Sequence, residues 1–509
     1  MNHHKRILIL LSAIFMLGGC SSLIGPLPTA EPPTLDEKWK EGTPDSVSTE
    51  QVQIDAKWWQ GFEDETLTAL VERAYSENLT LRVAALRILE ARAILGIARS
   101  EFYPTLDSNS GVTRAGLSGN AQLSDSRFTN YRTAIDTAWE LDVWGRVQRG
   151  VDAANADLNS LDASYENAAL SLAAEVATTY IQYRVLQQQL KLAHQNIGLQ
   201  TKSLNIAQSL LEDGSRNALD VEQAKAILAD TKALVPDLER NLSQSRNALI
   251  TLLSLTPSDV KQWVPDNDLS IPVYKEKINV GVPIDILRRR PDVKQAELSA
   301  VAASARVGIA QADRYPRFTL NGSLALDVSD GASTLNGGTA SDLFDKDSVA
   351  FNVGPRISIP LFNAGRLKNR WLAQDAIFQQ TVESYRLTVF TAIQDVENSL
   401  AALSNSSIRY FHLSESVRAY ERAHEIAQVL YEEGDADFQN LVDSQRQLVI
   451  QQQSQITEKG NISISQIALI RALGGSWTPG DNDRLADQVK RDLIDRNENW
   501  NDFIGEEKE

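Results

Sequence analysis

Two stretches of this chain are one unit written twice, and that limits its folds more than any other feature. Gly214 follows Glu212-Asp213 as Gly434 follows Glu432-Glu433. The same shift of 220 carries Gly145-Arg146 onto Gly365-Arg366, and Ala248-Leu249-Ile250 onto Ala468-Leu469-Ile470. Tyr103-Pro104 maps onto Tyr315-Pro316 with a shift of 212, so the second copy holds eight more residues between Tyr-Pro and Gly-Arg, in a loop or a strand. A repeated unit of this kind does not easily bury its apolar face alone, so the fold is expected to stack copies within or between chains.

Proline spacing decides what each copy contains. No proline lies between Pro104 and Pro236, or between Pro360 and Pro479. From Asp142 to Leu211 the chain is rich in Ala, Leu, Gln and Glu, with apolar residues at helical spacing such as Leu170, Ala173, Ala174, Ala177, Ile181 and Val185. The same reading holds from Asn363 to Tyr431. Around seventy helical residues extend about 100 Å, more than a globular domain needs. Gly214 and Gly434 end these helices as C-caps, and second helices return over Leu219–Leu253 and Leu441–Leu473. Each copy is therefore a long helical hairpin with its tip at one glycine. Pro236 lies inside the first return helix and is expected to kink or break it.

Strand-like segments precede each long helix. Phe318, Leu320, Leu324, Leu326 and Val328 alternate with Arg317, Thr319, Asn321, Ser323 and Asp327. Phe351, Val353, Ile357, Ile359 and Leu361 alternate with Asn352, Arg356 and Ser358, and Tyr131, Ile135, Trp139 and Leu141 with Asn130, Arg132, Asp136 and Glu140. This period of two is that of a sheet with one apolar face. Thr105 to Thr113 alternates only weakly. Such strands suit a transmembrane barrel or a half-buried soluble sheet. Four strands cannot close a barrel, so the first option needs several chains: two would supply eight strands and three twelve.

The first residues favour the barrel. Lys5-Arg6, the apolar run Ile7–Met16 and then Leu17-Gly18-Gly19-Cys20 read as an export signal too short to span a bilayer. Cys20, the sole cysteine, follows two small residues as in a bacterial lipoprotein, whose thiol is lipidated; an ordinary signal peptide with a chance cysteine is the alternative. Ser21, in place of an Asp, directs such lipoproteins to the outer membrane. Removing Lys5 and Arg6 moves the formal net charge from −17 to −19, which argues against nucleic acid as a partner. Nothing after Cys20 is apolar for the length of a membrane helix, so any crossing must use strands.

These readings divide the chain into a signal peptide (1–19), a lipid-anchored tether (20–54), a first repeat (55–256) and an equatorial linker (257–285). A second repeat (286–475) and a C-terminal equatorial tail (476–509) follow. Strands are placed at about 104–114 and 128–141 in the first repeat and about 316–328 and 349–361 in the second.

With two further stretches the pattern resembles the TolC-type outer-membrane efflux family, in its lipoprotein (NodT-like) branch that works with resistance-nodulation-division pumps. One is Trp58-Trp59 with Phe62, Asp64, Leu67 and Leu70. The other is Leu287-Arg288-Arg289-Arg290-Pro291-Asp292-Val293 with Ala296-Glu297, Gly308, Ala310 and Tyr315-Pro316. The resemblance implies an α+β membrane protein and a homotrimer, in which a twelve-stranded outer-membrane barrel is continued by a twelve-helix periplasmic tunnel. A mixed equatorial belt is built from the N-terminal region, residues 257–283 and the tail. It further implies a passive exit duct for small molecules, docked to a periplasmic adaptor and an inner-membrane pump, without cofactor beyond the lipid on Cys20.

The resemblance also implies a gate at the hairpin tips. Counting from the tip glycines Gly214 and Gly434, its residues are Asp220 in the first copy and Tyr431, Asn440 and Asp443 in the second. Asn440 stands where the family often has an acid, which leaves Asp443 as the second acidic ring. Ala436 stands where a basic residue is sometimes found, whereas the first copy has Arg216. Acids near a helix start can equally be caps or a solvated face. An acidic constriction favours cations.

No catalytic or metal site is expected. G-x-S-x-G, P-loop and H-E-x-x-H motifs are absent; His424-Glu425 begins the last, but position 428 is Gln. Met1 and Met16 leave with the signal, so no thioether path for soft metals can form. Arg288-Arg289-Arg290 read as structural, pairing with acids near the helix that opens at Asp292. Trp58 and Trp59 read as packing residues. Two other functions stay open on sequence: a duct for one-step protein secretion, and a lipid-tethered coiled-coil envelope protein that spans no membrane.

Overall fold

The computed structural model describes residues 28–41, 44, 46–48, 57–116, 127–264, 269–285, 289–330, 338–475, 483–497 and 500. Cys20, the signal segment and Arg288 lie outside them. The chain divides into two compact units, each drawn from both repeats: residues 1–31, 88–160 and 296–385, and residues 32–87, 161–295 and 386–509.

The first unit holds a four-stranded sheet of β1 (Thr105–Gly116), β2 (Arg127–Leu141), β3 (Arg317–Asp330) and β4 (Val349–Ser358), antiparallel and in sequence order. Residues directly opposite each other share a face, so the register assigns every side chain. Leu106 and Val112 on β1, Tyr131, Ile135, Trp139 and Leu141 on β2, Phe318, Leu320 and Leu324 on β3, and Phe351, Val353 and Ile357 on β4 form one face. Phe351 is 80% exposed and Leu106 73%. Asp107, Asn109, Arg132, Asp136, Glu140, Ser323, Asp327, Asn352 and Arg356 form the other. The expected alternation holds in β2, β3 and β4; in β1 it stays weak, since Leu106 and Val112 share their face with Ser108, Ser110 and Arg114.

Where the strands meet the helices, indole N–H groups and ion pairs fix the join. Trp139 Nε1 donates to the Phe102 carbonyl at 2.8 Å and Trp144 Nε1 to that of Pro316 at 2.7 Å, while Trp144 stacks on Tyr315. Arg146 bonds Glu140 at 2.8 Å and Glu101 at 3.0 Å, and Asp313 holds Arg317 at 3.0 Å. Asp142 accepts from the backbone of Val147 and Gln148, satisfying orphan amides at the start of the long helix.

Helix α1 (Glu65–Glu77) is capped by Asp64, which accepts from Leu67 N at 2.7 Å, and α2 is Leu79–Ser100. The first hairpin pairs α3 (Arg146–Glu212) with α4 (Ala218–Leu252). Helix α5 (Pro291–Ala312) precedes β3, the second hairpin pairs α6 (Arg366–Glu433) with α7 (Phe438–Ala472), and α8 is Asp483–Arg496. The long helices run 67 and 68 residues. Of the kink or break expected at Pro236, the break does not occur: α4 continues through it. Pro236 and Lys232 are both exposed, so the carbonyl that loses its N–H partner is open to water.

In the second unit the aromatic stretch forms a core. Trp58, Trp59 and Phe62 are each 2% exposed, with Phe62 against Tyr274. Tyr180 donates to Asp64 at 3.0 Å, and Arg184 Nε donates to the Tyr180 oxygen at 2.9 Å. A short parallel ladder pairs Val47 with Ile278 and Ser48 with Asn279, and α8 lies against α1. Arg290 is 8% exposed; it donates to Asp292, Asp395 and the Ala472 carbonyl. That is the structural pairing expected of the arginine run.

Candidate functional site

The two hairpin tips have the same backbone. Gly214 and Gly434 take φ of +71° and +91°, the left-handed region that favours glycine. Ser215 and Arg216 N–H both reach the Leu210 carbonyl at 2.9 and 3.1 Å; Asp435 and Ala436 N–H both reach that of Leu430 at 2.8 and 3.1 Å. These bonds satisfy the helix-end carbonyls that would otherwise be orphaned. Asn217 caps α4 by accepting from Leu219 N at 2.9 Å and, more weakly, from Asp220 N at 3.4 Å.

Beneath the turns Ala207, Val221, Ala224 and Ile227 of the first hairpin pack with Tyr431, Phe438, Leu441 and Val442 of the second. Burying each large apolar side chain contributes about 1.5–3 kcal/mol, so the two tips of one chain are held as one body. Inside this packing lies a polar tie. Tyr431, fully buried, donates its hydroxyl to Asp220 Oδ2 at 3.2 Å, and Asp220 is itself only 9% exposed. Burial, then the Asp220 carboxylate, pushes the Tyr431 phenol up to about 12, so at neutral pH it keeps the proton it donates. The Arg216 guanidinium lies 5.0 Å over the Tyr431 ring, and its Nη2 donates to the Ala436 carbonyl at 2.8 Å.

Arg216 therefore reaches across to Ala436, the position where the second copy lacks a basic residue. Of the four gate residues named from the sequence, the structure brings Asp220 and Tyr431 into contact. Asn440 and Asp443 are exposed; Asp443 accepts from Gln439 Nε2 at 3.0 Å and lies 3.8 Å from Arg446. Sequence reasoning missed the stacked Arg216, the Gln223–Gln439 bond at 3.3 Å between the hairpins, and the buried Gln445–Ser203 bond at 2.7 Å. The shift that pairs Arg216 with Ala436 was the one available signal.

A second polar surface is the charged face of the sheet. Arg132 bonds Asp327 at 3.3 Å and Ser323 at 3.2 Å, and Asn109 donates to Asp136 at 2.9 Å. Among the described residues no cluster of His, Cys, Asp and Glu is arranged to hold a metal, and no helix is long and apolar enough to cross a membrane.

This arrangement, a sheet with one apolar and one charged face followed by long paired helices, is that of known outer-membrane channels. The outer-membrane channel OprN superimposes with a TM-score of 0.79 at 28% identity, covering 88% of this chain and 100% of that one. The solvent efflux pump outer membrane protein SrpC of Pseudomonas putida is 30% identical over 476 residues, 92% of this chain and 98% of that protein. The probable outer membrane lipoprotein SilC of Salmonella typhimurium is 28% identical over 479 residues, 93% and 99% of the two chains. The profile of the family described as "Outer membrane efflux protein" matches residues 70–254 and 282–475. The chain belongs to that outer membrane efflux protein family, and it is an outer-membrane protein of efflux.

Proposed function

We propose that three copies of this chain close their sheets into a twelve-stranded barrel, continued by their helical hairpins as a tunnel. This trimer is the exit duct of a tripartite efflux system. The observation that carries the reading is the sheet itself: four strands, an exposed apolar face suited to lipid, a charged face suited to water, and outer strands β1 and β4 that pair with nothing further among the described residues. An exposed apolar sheet with open edges is a liability in water and the normal state of a barrel segment in a bilayer.

The tips are the gate. Asp220, Tyr431 and Arg216 tie the two hairpins of each chain, while Asn440 and Asp443 stand exposed, able to line the constriction. An acidic opening in a chain of net charge −17 conducts cations in preference to anions. The duct is passive and selects little; a periplasmic adaptor docks at the tips, and an inner-membrane pump of the resistance-nodulation-division class supplies the energy. By likeness to the probable lipoprotein SilC, Cys20 carries the lipid that fixes the N-terminus to the outer membrane.

The stoichiometry is tested by native mass of the full chain extracted in mild detergent. Three copies, about 170 kDa from a chain of 56.2 kDa, are expected. A stable dimer or monomer with its sheet intact contradicts the closed twelve-stranded barrel.

A further inference from the structure

The duplication predicts how one copy joins the next, strand by strand. Its shifts pass a check that the sequence could not provide. Moving the first strand by 212 and the second by 220 turns the observed pair Thr105↔Ala138 into Arg317↔Ser358, and Leu106↔Thr137 into Phe318↔Ile357. Both are observed pairs of the second hairpin. The two hairpins thus have the same register, and the eight extra residues of the second copy fall in its loop.

The chain also holds one joint between the copies, β2 to β3, in which Ala138 faces Asn321, Thr137 faces Gly322 and Leu141 faces Phe318. We propose that β4 of one copy pairs with β1 of the next in the register of this internal joint. This inference rests on the trimer reading above and gives it an address. The same two shifts place Ser358 opposite Asn109 of the next copy, Ile357 opposite Ser110, and Leu361 opposite Leu106.

Three observations support that joint. The faces match: Ile357 and Leu361 continue the apolar face onto Leu106 and Val112, all more than half exposed in the single chain. Arg356 and Ser358 meet Gly111 and Asn109, which keeps Arg356 on the charged face; Arg114, two residues from the loop end of β1, is the one charge of β1 on the apolar side, opposite Val353. The walk Thr105, Ala138, Asn321, Gly354 arrives at Thr113 of the next copy, a steady advance along the strands of the kind that barrel closure requires. A slip by one residue would put every side chain of β1 on the wrong face.

Paired cysteines read the register directly, because Cys20 is the only native cysteine. Within one chain β1 and β4 are three strand spacings apart, about 14 Å, beyond the roughly 7 Å reach of a disulfide. Any bond between them therefore joins two copies. The full chain is prepared with Ser358→Cys and Asn109→Cys, and separately with Ile357→Cys and Ser110→Cys. Adjacent pairs alternate between the wide and the close geometry, so one of the two has the closer side chains. Ala138→Cys with Asn321→Cys, the internal counterpart of the first pair, is the oxidation control. Ser358→Cys with Gly111→Cys, and with Asp107→Cys, are the slipped registers.

Copper-phenanthroline is expected to convert at least one predicted pair to covalent trimers, released by reductant. The slipped pairs sit about 7 Å farther along the strand and should give at most about a tenth as much product. Trimers only from a slipped pair overturn the register and leave the trimer standing. A bond in the internal control with no inter-chain product from any pair overturns both the register and the closed barrel.

Discussion

Arg290 shows what one side chain must do in an acidic chain. Its guanidinium is nearly buried, bonds Asp292 and Asp395 at 2.7 and 3.0 Å, and closes the end of α7 through the Ala472 carbonyl. Removing one partner of a buried ion pair leaves the other uncompensated. Asp395 is half exposed, which screens part of the cost. Arg290→Ala is therefore expected to destabilise by about 2–4 kcal/mol and to lower the melting temperature of the detergent-solubilised protein. Arg290→Lys should recover only part, since an ammonium cannot make the same fork of bonds. A melting temperature unchanged in Arg290→Ala would return the arginine run to the surface.

The tip tie belongs to the same scale. Asp220 and Tyr431 were both singled out in the sequence, but their bond was not legible there: the residues stand 211 apart, and nothing local in either segment signals the contact. Arg216 was legible only as a departure from pattern. Its place became visible only in the fold, which sets it over Tyr431 with its Nη2 donating to the Ala436 carbonyl.

At the scale of elements, the sequence spoke clearly wherever the signal was local. The tip glycines, the proline-free helices and the alternation of β2, β3 and β4 all appear where periodicity and capping rules put them. β1 was harder to read, because its apolar residues are few and its face is set by the neighbouring strand. The return helix α4 runs on through Pro236, since an exposed helix tolerates one missing bond when water replaces it.

Helix α7 carries another feature that periodicity does not reveal. A Cβ built on Gly460 would lie 2.3 Å from Val185 Cγ2 of α3, so the two helices approach closely there. Val185 is β-branched and held at χ1, so it yields poorly. Gly460→Ala gains about 1 kcal/mol of helix propensity and is expected to lose about 1–3 kcal/mol to overpacking. A lower melting temperature is the expected outcome; a raised one would show that the helices can separate without cost.

At the scale of the whole molecule, the proposal is that a strand pair and a hairpin, used twice in the chain, build a duct that the tip residues hold nearly shut. Two of the differences between the copies, Arg216 against Ala436 and Asp220 against Asn440, lie at the tips, where a gate needs asymmetry.

Single-channel current through the purified full chain in planar bilayers tests the claim most directly, comparing the native protein with Asp220→Ala and Tyr431→Phe. A small cation-selective conductance is expected for the native chain and a severalfold larger one in either variant, because removing one member of the tie loosens the tips. No current from any of the three proteins, or the same current from all of them, would contradict it.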